Sequence, residues 1–297
     1  MRVASVRAVW IACAMGCTAA ADTDVDATEP APADSGVAGS GVADSGVADS
    51  VPLDTTPGDS PDEGRPALEV TPPKRTSFLV VSRTAGYRHT CIEAGQDALI
   101  ALGTAEGVAM DLHPDADRLD QSALSPHAGI VLLSTTGDFL DGEEQASLVE
   151  FIESGGRLLA VHAAADAEYD WPQYRALIGA AFARHPATQP AEIVVATDHP
   201  ATAGLPTRFT RTDEWYDFQA LPDASGDRVV LLRVDEATYE GGGMGALHPV
   251  AWVHSAGDGR VFYTAMGHTA ASYEANGGAD DYFLEHMRLG LRWLLAP

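Results

Sequence analysis

The chain of 297 residues predicts an α/β fold: a mostly parallel, doubly wound sheet with added antiparallel strands in its C-terminal half. Three observations carry this. Short, continuous apolar runs alternate with segments of helical spacing between residues 77 and 161. Such runs suit strands buried on both faces, and their alternation with helices implies parallel pairing through crossovers. Beyond Ala180 five strand-like runs follow with little helix between them, which implies antiparallel or mixed pairing, and an amphipathic segment closes the chain.

Ser77 to Ser82 (SFLVVS) is the first strand. His89 to Leu102 has helical spacing, with Ile92, Ala98, Leu99 and Leu102 among its apolar positions. Val108 to Leu112 is a second strand and Gly129 to Ser134 a third. Asp141 is placed to cap a helix whose first turn holds Glu143 and Glu144, and Gly155-Gly156 stops it after Ser154. Arg157 to Val161 is the fourth strand. The later strands are Ile193–Ala196, Arg208–Thr212, Val229–Val234, Val250–Val253 and Arg260–Thr264. The closing helix, Asp280 to Leu295, carries Phe283, Met287, Leu291 and Leu294 on one side.

The first quarter of the chain has no such pattern. Arg2 and Arg7 flank a short start, followed by the apolar run Ala8 to Met15 and then Gly16-Cys17, the order of a secretory signal. The run falls well short of the ~20 residues a spanning helix needs. Ala14-Met-Gly-Cys17 resembles a bacterial lipobox, with Ala14 where Leu is usual. We therefore expect export as a membrane-anchored lipoprotein, lipidated at Cys17, with a periplasmic or secreted protein as the alternative. Residues 18–76 are acidic and of low complexity. Asp34 to Val51 repeats a degenerate unit, roughly Gly-Val-Ala-Asp-Ser, and the stretch to Pro73 has no aromatic residue. Such a segment cannot bury enough apolar surface to offset the entropy of ordering it, so it is expected to be a disordered linker. The domain is expected at residues 77–297.

The net charge is −25. Both linker and domain are acidic, which disfavours nucleic acid and anionic membrane as partners and fits a neutral substrate or a cation. Cys91 is the lone cysteine of the domain, so no internal disulfide is expected.

In open α/β sheets ligands sit outside the carboxyl ends of the strands. Here the first strand runs into Arg83 to His89, the third into Thr135 to Phe139, and the fourth into His162 to Asp166. Three strand ends thus present polar groups, Arg88, His89, Asp138, His162 and Asp166 among them, to one edge. Further on, Asp213-Glu214-Trp215-Tyr216 sets carboxylates beside aromatic rings, surroundings that suit a sugar. The alternative for Trp215 is a core position.

Segments quoted in order resemble one family. They are GYRH (86–89), TTGDFL (135–140), GGRLLAVHAA (155–164), YDWPQYRALIGAAFARHP (169–186), TDHPAT (197–202), DEWYDF (213–218), DEATYEGGGMGALHPVAW (235–252) and GRVFYTAMGHT (259–269). Together they resemble the ThuA-like (trehalose utilisation) domain across nearly all of residues 77–295. The resemblance implies a fold similar to class I glutamine amidotransferases and an association with sugar utilisation. It does not define a reaction. Leu247 stands where the family usually has Asp.

His162 follows the fourth strand, where amidotransferases of this fold place a nucleophilic Cys. An imidazole cannot form the thioester of glutamine hydrolysis, but it can act as general base or metal ligand. His162, Glu214 and Asp166 are the expected catalytic groups. Arg88, Asp138, Trp215, Tyr216 and Met244, the last in a glycine-rich loop, are the expected substrate contacts. His89, His248 and His268 are the expected ligands of a divalent metal such as zinc, with His185, also in a motif segment, a further candidate, although their spacing is not that of any short metal motif; the alternative for His185 and His248 is pairing with buried backbone at a bend before proline. The expected function is an exported enzyme, a hydrolase or lyase, using acid–base and metal-assisted chemistry on a small-molecule carbohydrate, a sugar or keto-sugar derivative. The alternative is a non-catalytic sugar-binding module at the cell surface.

Overall fold

The apolar run Ser77–Val81 (β1) is buried along almost its whole length and pairs in parallel on both sides, with Ala109–Leu112 (β2) and with Gly129–Leu133 (β3). Arg157–Val161 (β4) extends the parallel set beyond β3. The computed structural model describes residues 77–220, 227–274 and 282–297, and all of them fall within one compact unit. The expectations about the signal and the linker concern residues 1–76, which lie outside the described residues. Among the described residues no helix is long and apolar enough to cross a membrane.

Ile92–Glu106 (α1) links β1 to β2 and ends at Gly107, whose left-handed φ of 72° suits glycine. The expected start at His89 shifts to Ile92, which leaves His89 in the loop after β1. Gln121–Leu124 (α2) is a single turn capped by Asp120. Gly142–Glu153 (α3) begins as expected: Asp141 accepts the backbone N–H groups of Glu143 and Glu144, and Glu144 reciprocates in a capping box. Pro172–Ile178 (α4) was not expected. Proline at its first position starts it and Gly179, at φ 97°, stops it.

After α4 come Phe182–Arg184 (β5), Gln189–Val195 (β6), Arg208–Asp213 (β7), Asp217–Phe218 (β8), Val229–Val234 (β9), Pro249–Ala256 (β10) and Gly259–Thr264 (β11). The large sheet has the order β2-β1-β3-β4-β11-β10-β9-β6-β7, and β5 pairs only with β8. β11 lies parallel to β4, and every pairing beyond it is antiparallel, so the expected mixed sheet is observed. β6 starts earlier than expected, through Pro190. Proline is tolerated there because β9 pairs only with Ile193–Val195, and Pro190 faces β7 alone. Phe283–Leu295 (α5) packs its buried Phe283, Met287, Leu291 and Leu294 inward, as the apolar stripe requires.

The parallel strands point one way. Alternation through β10, β9 and β6 returns β7 to that same direction. The carboxyl ends of β1, β3, β4, β11 and β7 therefore share one edge.

Candidate metal centre

Four side chains from four strand ends meet at that edge. His89 comes from the loop after β1, His162 from the residue after β4, Glu214 from the residue after β7, and His268 from the loop after β11. One ligand atom of each lies within 4.8 Å of the others. The three imidazole centroids are 4.9 Å (His89 to His162), 5.4 Å (His89 to His268) and 5.3 Å (His162 to His268) apart.

Local structure explains each placement. His162 ends β4 at φ 51°, a left-handed conformation uncommon outside glycine, and a short 3₁₀ turn over His162–Ala165 follows. Ser134 after β3 and Glu168 after β4 share this sign of φ, so the backbone outliers gather at the same edge, as strain at functional sites does. The His162 ring is fully buried. Its Nδ1 lies 2.7 Å from the carbonyl of Ala265, which can only accept, so Nδ1 carries the proton and Nε2 offers a lone pair. The Tyr216 hydroxyl donates to that Nε2 at 2.9 Å, a bond that a bound ion would replace, since Nε2 has a single lone pair. Burial raises the Tyr216 phenol well above its ordinary range, so it remains a donor.

His268 Nδ1 is 3.1 Å from Glu214 Oε2 and 3.3 Å from His162 Nε2. Burial would raise the Glu214 carboxyl, but its close approach to His162 and His268 outweighs this and holds it well below the usual carboxylate range. For His268 the order is reversed: burial lowers it, and Glu214 with Asp213 raises it more. His89 is buried, with no partner for its Nδ1. Burial first, then the neighbouring His162 and His268, push it down to about 3, so it is a neutral imidazole. Three imidazoles and a carboxylate, each with a ligand atom within 4.8 Å of the others, form a donor set that could hold a divalent ion.

The other expected residues divide. Tyr216 supports the centre through His162. Asp166 accepts a hydrogen bond from Tyr169, and burial, opposed by that bond and by His162 and His185, raises its carboxyl. His185 lies at the rim, its Nδ1 3.4 Å from Glu214 Oε1 and 2.8 Å from the Pro186 carbonyl. His248 does not join the centre. Its fully buried ring meets Glu236 at 2.8 Å through Nδ1 and donates to the Tyr216 carbonyl at 2.8 Å through Nε2. With Asp217 it forms a second cluster that anchors the glycine-rich loop: Gly243 N–H donates to Asp217, and Met244 and Gly245 N–H donate to Glu236. This cluster is already satisfied by protein donors, Arg184 on Asp217 among them. Met244 is part of that anchor, its Sδ accepting from Phe218 N–H. Trp215 is a core residue, fully buried, with Nε1 donating to the Gln189 carbonyl at 3.0 Å. Arg88 turns to Glu93, Asp115 and the Ser82 carbonyl, because two carboxylates outside the centre draw it away. Asp138 is exposed in the loop after β3. Sequence reasoning passed over Arg211, although β7 shows the sign: Phe209, Arg211 and Asp213 alternate with exposed residues and share its buried face.

A family model described as trehalose utilisation, ThuA, matches residues 77–294. Among solved structures, a ThuA-like protein from Bacteroides uniformis ATCC 8492 aligns with TM-score 0.63 and 23% identity, over 78% of this chain and 96% of its own. A second, from Parabacteroides merdae ATCC 43184, aligns with TM-score 0.58 and 19% identity, over 74% and 90%. No curated protein matches the chain.

Proposed function

The chain belongs to the trehalose utilisation (ThuA) family, and on that premise we propose that it is an exported, divalent-metal-dependent hydrolase or lyase acting on a neutral sugar or keto-sugar derivative. One observation carries the reading: the ligand atoms of His89, His162, Glu214 and His268 lie within 4.8 Å of one another. The residues suit such an ion. The buried, unpartnered Nδ1 of His89 is a polar atom whose burial is costly unless something meets it. The Ala265 carbonyl on His162 Nδ1 is the outer contact that metal-bound histidines characteristically make, and it directs Nε2 inward. When bound, a divalent ion polarises a substrate oxygen or acidifies a water.

The chain's own groups supply the rest. Of the expected catalytic groups His162, Glu214 and Asp166, the first two serve better as ligands, and the proton-transfer role falls to Asp166. Its carboxyl is raised by burial and hydrogen-bonded to Tyr169, and groups shifted toward neutrality are suited to proton transfer. A neutral substrate fits the charge pattern. Arg83 is paired with Glu144, Arg88 with Glu93, and Arg184 with Asp217. The Tyr87 ring, 65% exposed and edge-on to His89 at 4.9 Å, offers a face on which a pyranose can pack.

The test is metal analysis of the purified full chain, with turnover measured against glycosides and 3-keto sugars under zinc, manganese and cobalt. The expected result is about one ion per chain and metal-dependent turnover, both lost in His162→Ala. Retention of full activity in His162→Ala overturns the assignment. Saturable sugar binding with no turnover under any of these metals favours the binding module.

A further inference from the structure

Two of the four candidate ligands depend on a residue outside that set. Asp213 is fully buried at the end of β7. Its Oδ1 accepts the backbone N–H of Glu214 at 3.0 Å and that of His268 at 3.0 Å. Its Oδ2 accepts the N–H of Gly267 at 2.8 Å and both Nε and Nη2 of Arg211, at 2.9 and 2.8 Å. Arg211 is itself buried, donates to Ser272 Oγ at 2.8 Å, and lies 4.7 Å from the centroid of the Phe283 ring.

We infer that Asp213 is a positioning residue of the metal centre: one carboxylate oxygen, gripped through its partner oxygen by Arg211, sets the separation of Glu214 and His268. The inference rests on the metal reading above. The same loop after β11 also carries the Ala265 carbonyl that orients His162. Asp213 therefore registers three ligands together, two directly and one through the loop. A buried ion pair adds little stability over an apolar pair of equal volume, so its presence here is better explained by what it holds. β7 lies four places from β11 in the sheet, and these two backbone bonds to the loop bring Glu214 to the centre.

Asparagine cannot replace this carboxylate. It has one oxygen and one donor group, so in either orientation a set of N–H groups faces an N–H. The experiment measures cobalt(II) affinity and the visible spectrum of the cobalt-loaded full chain for wild type, Asp213→Asn, Arg211→Lys and Leu291→Ala. Leu291 is a buried residue of α5 and controls for lost stability alone. Asp213→Asn is expected to bind about 10–100-fold more weakly with an altered spectrum, while Leu291→Ala melts lower but keeps the wild-type affinity and spectrum. Wild-type affinity and spectrum in Asp213→Asn overturn the inference and leave the metal reading standing. If Asp213→Asn does not fold, Arg211→Lys decides. Its loosened grip is expected to weaken binding and shift the spectrum, and an unchanged affinity and spectrum overturn the inference. A wild-type chain that takes up no cobalt overturns the metal reading and this inference with it.

Discussion

Trp215 and Tyr216 are neighbours in one motif with opposite roles. The indole donates to Gln189 in the core, and the phenol donates to His162 at the centre. Trp215→Phe should thus cost about 1 kcal/mol for the lost hydrogen bond, seen in chemical denaturation, and leave sugar affinity unchanged. A fall in sugar affinity at constant stability would return Trp215 to the site. His89→Ala should behave oppositely, weakening zinc binding by more than about 100-fold in calorimetric titration. Both outcomes bear on what was legible at this scale. The motif marked the segment as functional, and alternation in extended chain says that adjacent side chains point apart. It does not say which side is the core. Likewise His89 and His248 look alike as motif histidines. Only the fold sends one ring to His162 and the other to Glu236.

At the scale of elements, α5 carries a pH dependence. Burial, reinforced by Arg211, pushes His286 from 6.5 down to about 3, and both its ring nitrogens lack partners. The native state therefore keeps His286 neutral while the unfolded chain protonates it below about 6.5. Stability should be unaffected by this group above that pH. It should fall as pH drops from about 6.5 toward 3, by up to about 1.4 kcal/mol per unit. His286→Phe, filling the same place beside Phe262, should flatten that part of the profile in pH-dependent denaturation. An unchanged slope would show that other groups carry it. In the loop after β11, Gly267 sits at φ 111°, and a Cβ there would lie 2.7 Å from the Tyr273 hydroxyl and 2.9 Å from Phe283. Gly267→Ala should lower stability by about 2–4 kcal/mol, from backbone strain and overpacking together. A thermal midpoint like that of wild type would refute this. The caps of α3 were readable because Asp141 and Glu144 act over three residues. α4 was equally local, opened by Pro172 and closed by Gly179, but seven residues gave too little periodicity to register as a helix.

For the whole molecule, residues 18–76 are acidic and carry no aromatic residue, a composition with little apolar surface to pack on a domain. A chain beginning at Ser77 should melt within about 2 °C of the full chain. A larger drop would mean that the preceding residues pack on the domain. The sequence by itself determined the parallel character of the first strands, the closing helix and the histidine-rich edge, because apolar periodicity, caps and strand ends are properties of short windows. It also held the sign of the Arg211–Asp213 pair, since two charged residues alternate with exposed ones on the buried face of β7. The tertiary structure alone decided that Glu214 meets His162, a pairing 52 positions apart in the chain. Four successive antiparallel pairings in the sheet return β7 to the direction of β11. The bonds from Asp213 to Gly267 and His268 then close the distance. No local pattern encodes such a meeting, because it depends on the summed twist and register of strands that are far apart in sequence.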